Sequence, residues 1–233
     1  RFKNVDSIFY IGNKFSENSY KIHQKPLFRI YPSISQTLNI NLNDLIKKDK
    51  KRFIYFGGSG CICKGLDLVI DSVIEVLKYE EIFLDICAPE NELDFWREYQ
   101  PKISNNDHIN YYGFIDINSK NFLNLTTKAA FNIFPASSEG SATSVLTCMR
   151  RSVIPVVTYE AGIDVKDFGY LLKSNNVEEI KYVLNKCIKI SDSEFQERLI
   201  KTYNQSWNYS PEMFVNSFRN GILNNNTKTV SKL

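Results

Sequence analysis

The chain of 233 residues predicts a doubly wound parallel α/β fold. Two observations carry the prediction. Short runs, apolar along their whole length, alternate with segments of helical periodicity, as strands covered on both faces by crossover helices do. And Ala129–Thr158 (AAFNIFPASSEGSATSVLTCMRRSVIPVVT) reads as a complete βαβ unit. Its parts are a strand Ala129–Phe134, a polar loop Pro135–Gly140, a helix Ser141–Arg150 and a strand Val153–Val157. Such a crossover is right-handed, and its loop lies at the carboxyl edge of the sheet, where ligands of open α/β sheets sit.

Composition narrows the class. With 43% hydrophobic and 24% charged residues the chain can bury a sizeable core. The net charge of +3, with both signs interspersed, is not the footprint of a nucleic-acid binder. Five scattered cysteines lack zinc-site spacing and read as reduced thiols of a cytoplasmic protein. No signal peptide or spanning segment is visible. Arg1 is not a natural start, so the chain is expected to be either processed or a piece of a longer protein.

Taken in order, Ser7–Gly12 is a short strand, Phe15–Ile22 a helical turn or two, and Leu27–Tyr31 a strand stopped by Pro32. Asn39–Lys48 is a short helix. The charge run Lys47–Arg52 reads as a solvated linker face; attraction to an anionic membrane is the weaker alternative. Arg52–Gly57 is the first strand of the main domain. A glycine-rich turn, Gly57-Gly58-Ser59-Gly60-Cys61-Ile62-Cys63-Lys64-Gly65, leads to a helix whose Leu66, Val69, Ile70, Val73, Ile74 and Leu77 form one apolar face. Ile82–Cys87 is a strand, Glu92–Tyr99 a helix, Ile109–Tyr112 a strand, and Asn118–Thr127 a helix capped by Asn118 or Ser119. After the βαβ unit come a strand Gly169–Leu172 and helices Val177–Ile188, Asp192–Trp207 and Pro211–Leu223. Asn224–Leu233 is a polar tail expected to fray.

Two turns carry chemistry. The glycine-rich turn lets backbone approach a phosphate, and Lys64 adds a mobile charge there; the alternative is an exposed lysine at a helix start. The turn Ser137-Ser138-Glu139-Gly140-Ser141 offers hydroxyls, a carboxylate and the N–H groups of a helix start. A carboxylate repels anions, so Glu139 fits sugar hydroxyls better; the alternative is a helix-cap carboxylate. Other chemistries lack support. No Asp-x-Asp clamp exists, no Gly-x-Ser-x-Gly elbow exists, and His23 and His108, the two histidines, lie in unrelated segments.

Pro135-Ala136-Ser137-Ser138-Glu139-Gly140, followed by Ile154-Pro155-Val156-Val157, resembles the signature of retaining nucleotide-sugar glycosyltransferases of family 4, which have the GT-B fold. Lys64-Gly65 is similar to that family's Gly-Arg…Lys-Gly turn. The resemblance covers the second, donor-binding half of such an enzyme. It departs at two positions. The family's turn Arg falls on Ser59, and its second Glu, after seven intervening residues, falls on Thr147.

The resemblance implies a division of the chain. Residues 1–48 are a lead-in segment and linker from a preceding N-terminal domain, 49–210 the Rossmann-like nucleotide-sugar domain with strand order 3-2-1-4-5-6, and 211–233 the crossover helix and tail. It implies donor contacts from Gly58, Ser59, Gly60, Lys64, Phe114, Glu139, Gly140, Ser141, Ala142, Thr143 and Thr147, with Lys64 and Glu139 catalytic. Phe114 would meet the nucleobase; as a bare sequence feature it reads equally as a core aromatic. The donor is a nucleotide-diphosphate sugar, with no bound metal or other cofactor. A lost Arg of this kind costs on the order of 10²–10³ in rate, so either another cation, such as Arg150 or Arg151, replaces it, or the donor is unusual, or the protein is slow or non-catalytic. Thr147 weakens ribose binding by about 1–2 kcal/mol, or bonds back to the Thr143 carbonyl. The acceptor, a glycan or lipid-linked glycan, would bind the preceding domain, so these residues alone transfer no sugar. The implied setting is bacterial surface polysaccharide synthesis in the cytoplasm, with peripheral association at the inner membrane face. The rival is a non-catalytic module that kept the fold and lost the site; an epimerase is disfavoured by the scarcity of acid and base groups.

Overall fold

A computed structural model describes residues 3–35 and 40–230. Its centre is a six-stranded parallel sheet built from β3 (Asp49–Phe56), β4 (Phe83–Cys87), β5 (Ile109–Tyr111), β6 (Ala129–Phe134), β7 (Ile154–Thr158) and β8 (Tyr170–Leu172). The spatial order is β5-β4-β3-β6-β7-β8. Counted within this sheet, that is 3-2-1-4-5-6, the doubly wound order expected. Apolar residues fill both faces of the central strands. Phe53 and Tyr55 of β3 stack on Phe131 and Phe134 of β6, with ring centroids 5.2 and 5.6 Å apart. Ile54 and Phe56 point the other way, with Phe122, Cys148 and Val153.

The crossover helices are α2 (Leu66–Val76), α3 (Leu93–Ser104), α4 (Lys120–Lys128) and α5 (Thr143–Arg150); α6 (Val177–Ile188) and α7 (Asp192–Ser206) follow the last strand. Ser119, Asn176 and Ser191 cap three of these helices. The helix α3 runs through Pro101, past the predicted end at Tyr99; the proline removes one backbone donor from the helix's hydrogen-bond ladder.

A second unit precedes this sheet. β1 (Ile8–Ile11) and β2 (Leu27–Ile30) pair in parallel around α1 (Lys14–Lys21). The last helix, α8 (Pro211–Val230), returns to it: Phe218 lies 5.2 Å from Phe9, and a Cβ on Gly221 would collide with that ring. The helix passes the predicted end at Leu223; the last three residues of the predicted tail lie outside the described residues. No helix among the described residues is long and apolar enough to cross a membrane.

The charge run differs from expectation. It is not a solvated linker: β3 begins at Asp49, and Lys48 is buried. Its Nζ donates to the carbonyls of Thr126, Ala129 and Arg151 at 2.6, 3.0 and 2.8 Å. The carbonyl ends of α4 and α5 converge on one ammonium, which meets their partial negative charge. The predicted helix Asn39–Lys48 is a 3-10 turn, Leu42–Lys47; Asn39 lies outside the described residues.

Candidate functional site

β3 and β6 are neighbours, but their crossovers leave in opposite directions, β3 to β4 and β6 to β7. The turns after them diverge and open a crevice at the carboxyl edge. The first lip is the glycine-rich turn. Three backbone bonds hold it: Lys64 N–H to Gly60 O at 2.8 Å, Gly65 to Ile62 at 2.9 Å and Leu66 to Cys61 at 2.9 Å. Gly65 has φ +71°, and a Cβ there would lie 2.5 Å from the Pro135 carbonyl oxygen. Glycine thus lets the two lips touch. Ser137 joins them as well, donating both N–H and Oγ–H to the Cys63 carbonyl at 2.9 Å.

Lys64 reaches across. Its Nζ lies 3.6 Å from Glu139 Oε1, both side chains being about three-quarters buried at 22% and 25% exposure. Lys64 is therefore not a freely exposed lysine. Glu139 is no helix cap: α5 begins at Thr143, four residues on, with no side-chain cap. The start is two residues later than predicted because the preceding backbone is bonded elsewhere. Glu139 N–H donates to Glu160 O and Ala142 N–H to Ala161 O, each at 2.9 Å. So Ala142 cannot offer its N–H to an anion; Thr143 and Ser144 begin the free first turn.

The lead-in segment closes one side. Ser16 Oγ–H donates to Gly140 O at 3.1 Å, and Asn13 Nδ2 to Tyr159 O at 2.9 Å. Gly162, at φ +75°, would place a Cβ 2.2 Å from Gly140 O. Gly140 is thus wedged between α1 and the turn after β7.

The structure brings Gly58, Ser59, Gly60 and Lys64 to one lip and Glu139, Gly140, Ser141, Ala142 and Thr143 to the other. Thr147 turns inward: its Oγ1–H donates to the Thr143 carbonyl at 2.8 Å. Phe114 is 78% exposed on the turn after β5 and is not a core aromatic. Arg150 and Arg151 do not replace the missing Arg. They lie at the far end of α5, where Arg150 stacks 3.8 Å over Trp207 and donates to Ser206 O at 3.0 Å. Arg151 donates to the hydroxyls of Thr126 and Thr127.

Sequence reading missed Asn91 and Glu92. Asn91 Nδ2 donates to Ser59 Oγ at 2.5 Å. Glu92 Oε1 accepts from the N–H groups of Gly60 and Cys61 at 2.5 and 2.8 Å. Partial burial raises the Glu92 carboxyl pKa, but these bonds and Lys64 outweigh it and hold it below the usual range. Under the loop, burial and the Glu92 charge push the Cys61 thiol up to about 12. Two surface grooves, of about 410 and 720 Å³, open on helical faces. No crevice residue lines either of these, but a third groove of about 450 Å³ lies against the glycine-rich turn, lined by Ile62, Glu92 and Phe95.

Residues 39–205 match the family described as glycosyl transferases group 1. The chain belongs to this family. Among curated proteins, none matches it in sequence. Solved structures of glycosyltransferases share its fold. HepE of Anabaena, in complex with UDP and glucose, has TM-score 0.72 at 13% identity over 98% of this chain and 64% of that one. A glycosyltransferase of Rickettsia africae has TM-score 0.75 at 12% identity, covering 94% and 62%. WaaG, a glycosyltransferase involved in lipopolysaccharide biosynthesis, has TM-score 0.66 at 14% identity, covering 92% and 61%. The chain thus spans less than two thirds of the length of these structures. Its six-stranded domain has the Rossmann-like architecture of a GT-B glycosyltransferase half.

Proposed function

We propose that this group 1 glycosyltransferase chain is the donor-binding part of a family 4-like, retaining enzyme that takes a nucleotide-diphosphate sugar without a bound metal. One observation carries the reading: Lys64 and Glu139 meet at 3.6 Å across the switch-point crevice. Leaving-group charge would develop on the diphosphate as the anomeric bond breaks, and Lys64 with the first N–H groups of α5 would stabilise it without reorganising. Glu139 would accept from donor-sugar hydroxyls. Until a donor binds, the two neutralise each other, at modest cost for a partly solvated pair. Support for the donor class comes from HepE, which was solved in complex with UDP-glucose.

Residues 49–210 are proposed as the nucleotide-sugar domain. A preceding domain would join through 1–48, with 211–233 crossing back to it and a glycan or lipid-linked acceptor bound there. Phe214, Val215 and Leu223, exposed on α8, fit such a cover. A role in bacterial surface polysaccharide synthesis, in the cytoplasm or at the inner membrane face, accords with WaaG's role.

Calorimetry with UDP, GDP and their sugar conjugates tests the donor site. The wild type is expected to bind one of them, and Lys64→Ala to weaken that binding at least about tenfold, the loss of a charge-assisted contact. Equal binding by the mutant overturns the reading. A second reading, a module that kept the fold without the donor site, is favoured by Ser59 and Thr147, whose hydroxyls are engaged with Asn91 and Thr143. A wild type that binds no nucleotide would establish it.

A further inference from the structure

The glycine-rich turn holds an anion receptor that is already filled. The consecutive N–H groups of Gly60 and Cys61 converge on one oxygen, Glu92 Oε1. Adjacent backbone donors of this kind form a concavity suited to phosphate. Glu92 occupies the N-cap position of α3, yet its side chain makes no cap bond to that helix; it turns to the glycine-rich turn instead. Glu92 is not the turn's only support. Three internal backbone bonds and the two from Ser137 already fix residues 60 to 66. Lys64 feels both carboxylates, pairing with Glu139 while its charge lowers the Glu92 carboxyl.

We propose that Glu92 is a specificity-determining residue of the donor site: a tethered carboxylate that occupies the N–H pair a donor phosphate would use, so that a pyrophosphate seats fully only by displacing it. This inference rests on the donor-domain reading above. Displacement costs two charge-assisted hydrogen bonds and returns two to the phosphate. Donors able to offer a full pyrophosphate gain most from it, and monophosphates least.

The test is titration of the 233-residue chain with UDP, UMP and inorganic pyrophosphate. Pyrophosphate makes the result independent of which base the site accepts. The proteins are wild type, Glu92→Gln, Glu92→Ala and Lys64→Ala, with melting temperature recorded for each. Glutamine keeps the shape and removes the charge; alanine empties the receptor. Both Glu92 variants are expected to bind UDP or pyrophosphate about fivefold more tightly than wild type, roughly one charge-assisted bond's advantage, with UMP less affected. A gain in affinity at unchanged melting temperature is not what loss of a structural support produces. If Lys64→Ala weakens binding but the Glu92 variants bind no better than wild type, the placeholder role is overturned and the donor site stands. If wild type and all variants bind neither UDP nor pyrophosphate, the donor reading itself falls, and this inference with it.

Discussion

Lys48 carries a charge into the core, and three carbonyl oxygens receive it. Burial pushes its pKa well below the ordinary lysine value, while three acceptors match the three protons of an ammonium. Its neighbours Lys47 and Lys50 instead pair with Asp44 and Asp192 at the surface. Nothing in a run of lysines tells which one faces two helix ends. That depends on where α4 and α5 stop in space, which is set about 80 to 100 residues later. Lys48→Met keeps the stem and removes the donors, leaving three carbonyls unsatisfied. We expect a loss of about 3 kcal/mol. Urea unfolding should show it as a lower midpoint at unchanged slope. A loss under about 1 kcal/mol would mean that water reaches those carbonyls in its place.

Elements meet the site through close backbone contact, and Gly65 is the tightest such place between the two lips. Alanine there must adopt φ +71° and push a Cβ against the Pro135 carbonyl. The left-handed conformation alone costs about 1–2 kcal/mol. With the clash, Gly65→Ala should lower stability by more than about 2 kcal/mol and separate Lys64 from Glu139. Chemical unfolding and UDP titration read the two effects separately. The alternation of strands and helices was legible because apolar periodicity is a local property: Leu66 to Leu77 and Ala129 to Phe134 declare themselves. Lys64 and Glu139 were legible as motif residues. The shifted starts were not. β3 reaches back to Asp49 because that residue pairs with Ala129 of β6, and α5 waits until Thr143 because Ala142 is bonded to Ala161. Glu92 was hidden for the same reason: its partners lie 31 and 32 residues away, and at a helix start it reads as an ordinary acidic cap.

At the scale of the whole molecule, the two sheets differ in how they are held. The six-stranded sheet is covered by helices and packs its own core. β1 and β2 form a parallel pair with no third strand among the described residues, an arrangement marginal by itself in water. Its support is borrowed. Phe9 packs on Phe28 and Phe218, the Tyr31 N–H donates to Ser217 Oγ at 3.3 Å, and Gly221 admits the Phe9 ring. All of these partners except Phe28 belong to α8. The ties that do not involve α8 are smaller: the polar contacts of Ser16 to Gly140, Asn13 to Tyr159 and Arg29 to Asp164, and the edge contacts of Phe15 with Tyr159 and Tyr31 with Tyr209. Ending the chain after Ser210 should therefore release β1 and β2 while sparing the main sheet. Hydrogen exchange followed by mass spectrometry is expected to show lost protection in peptides spanning 8–11 and 27–30, and retained protection at 53–56 and 131–134. Because Ser16 and Asn13 wall the crevice, the same truncation should also loosen Gly140. Equal loss of protection in both sheets would instead mean that α8 supports the whole chain as one cooperative unit.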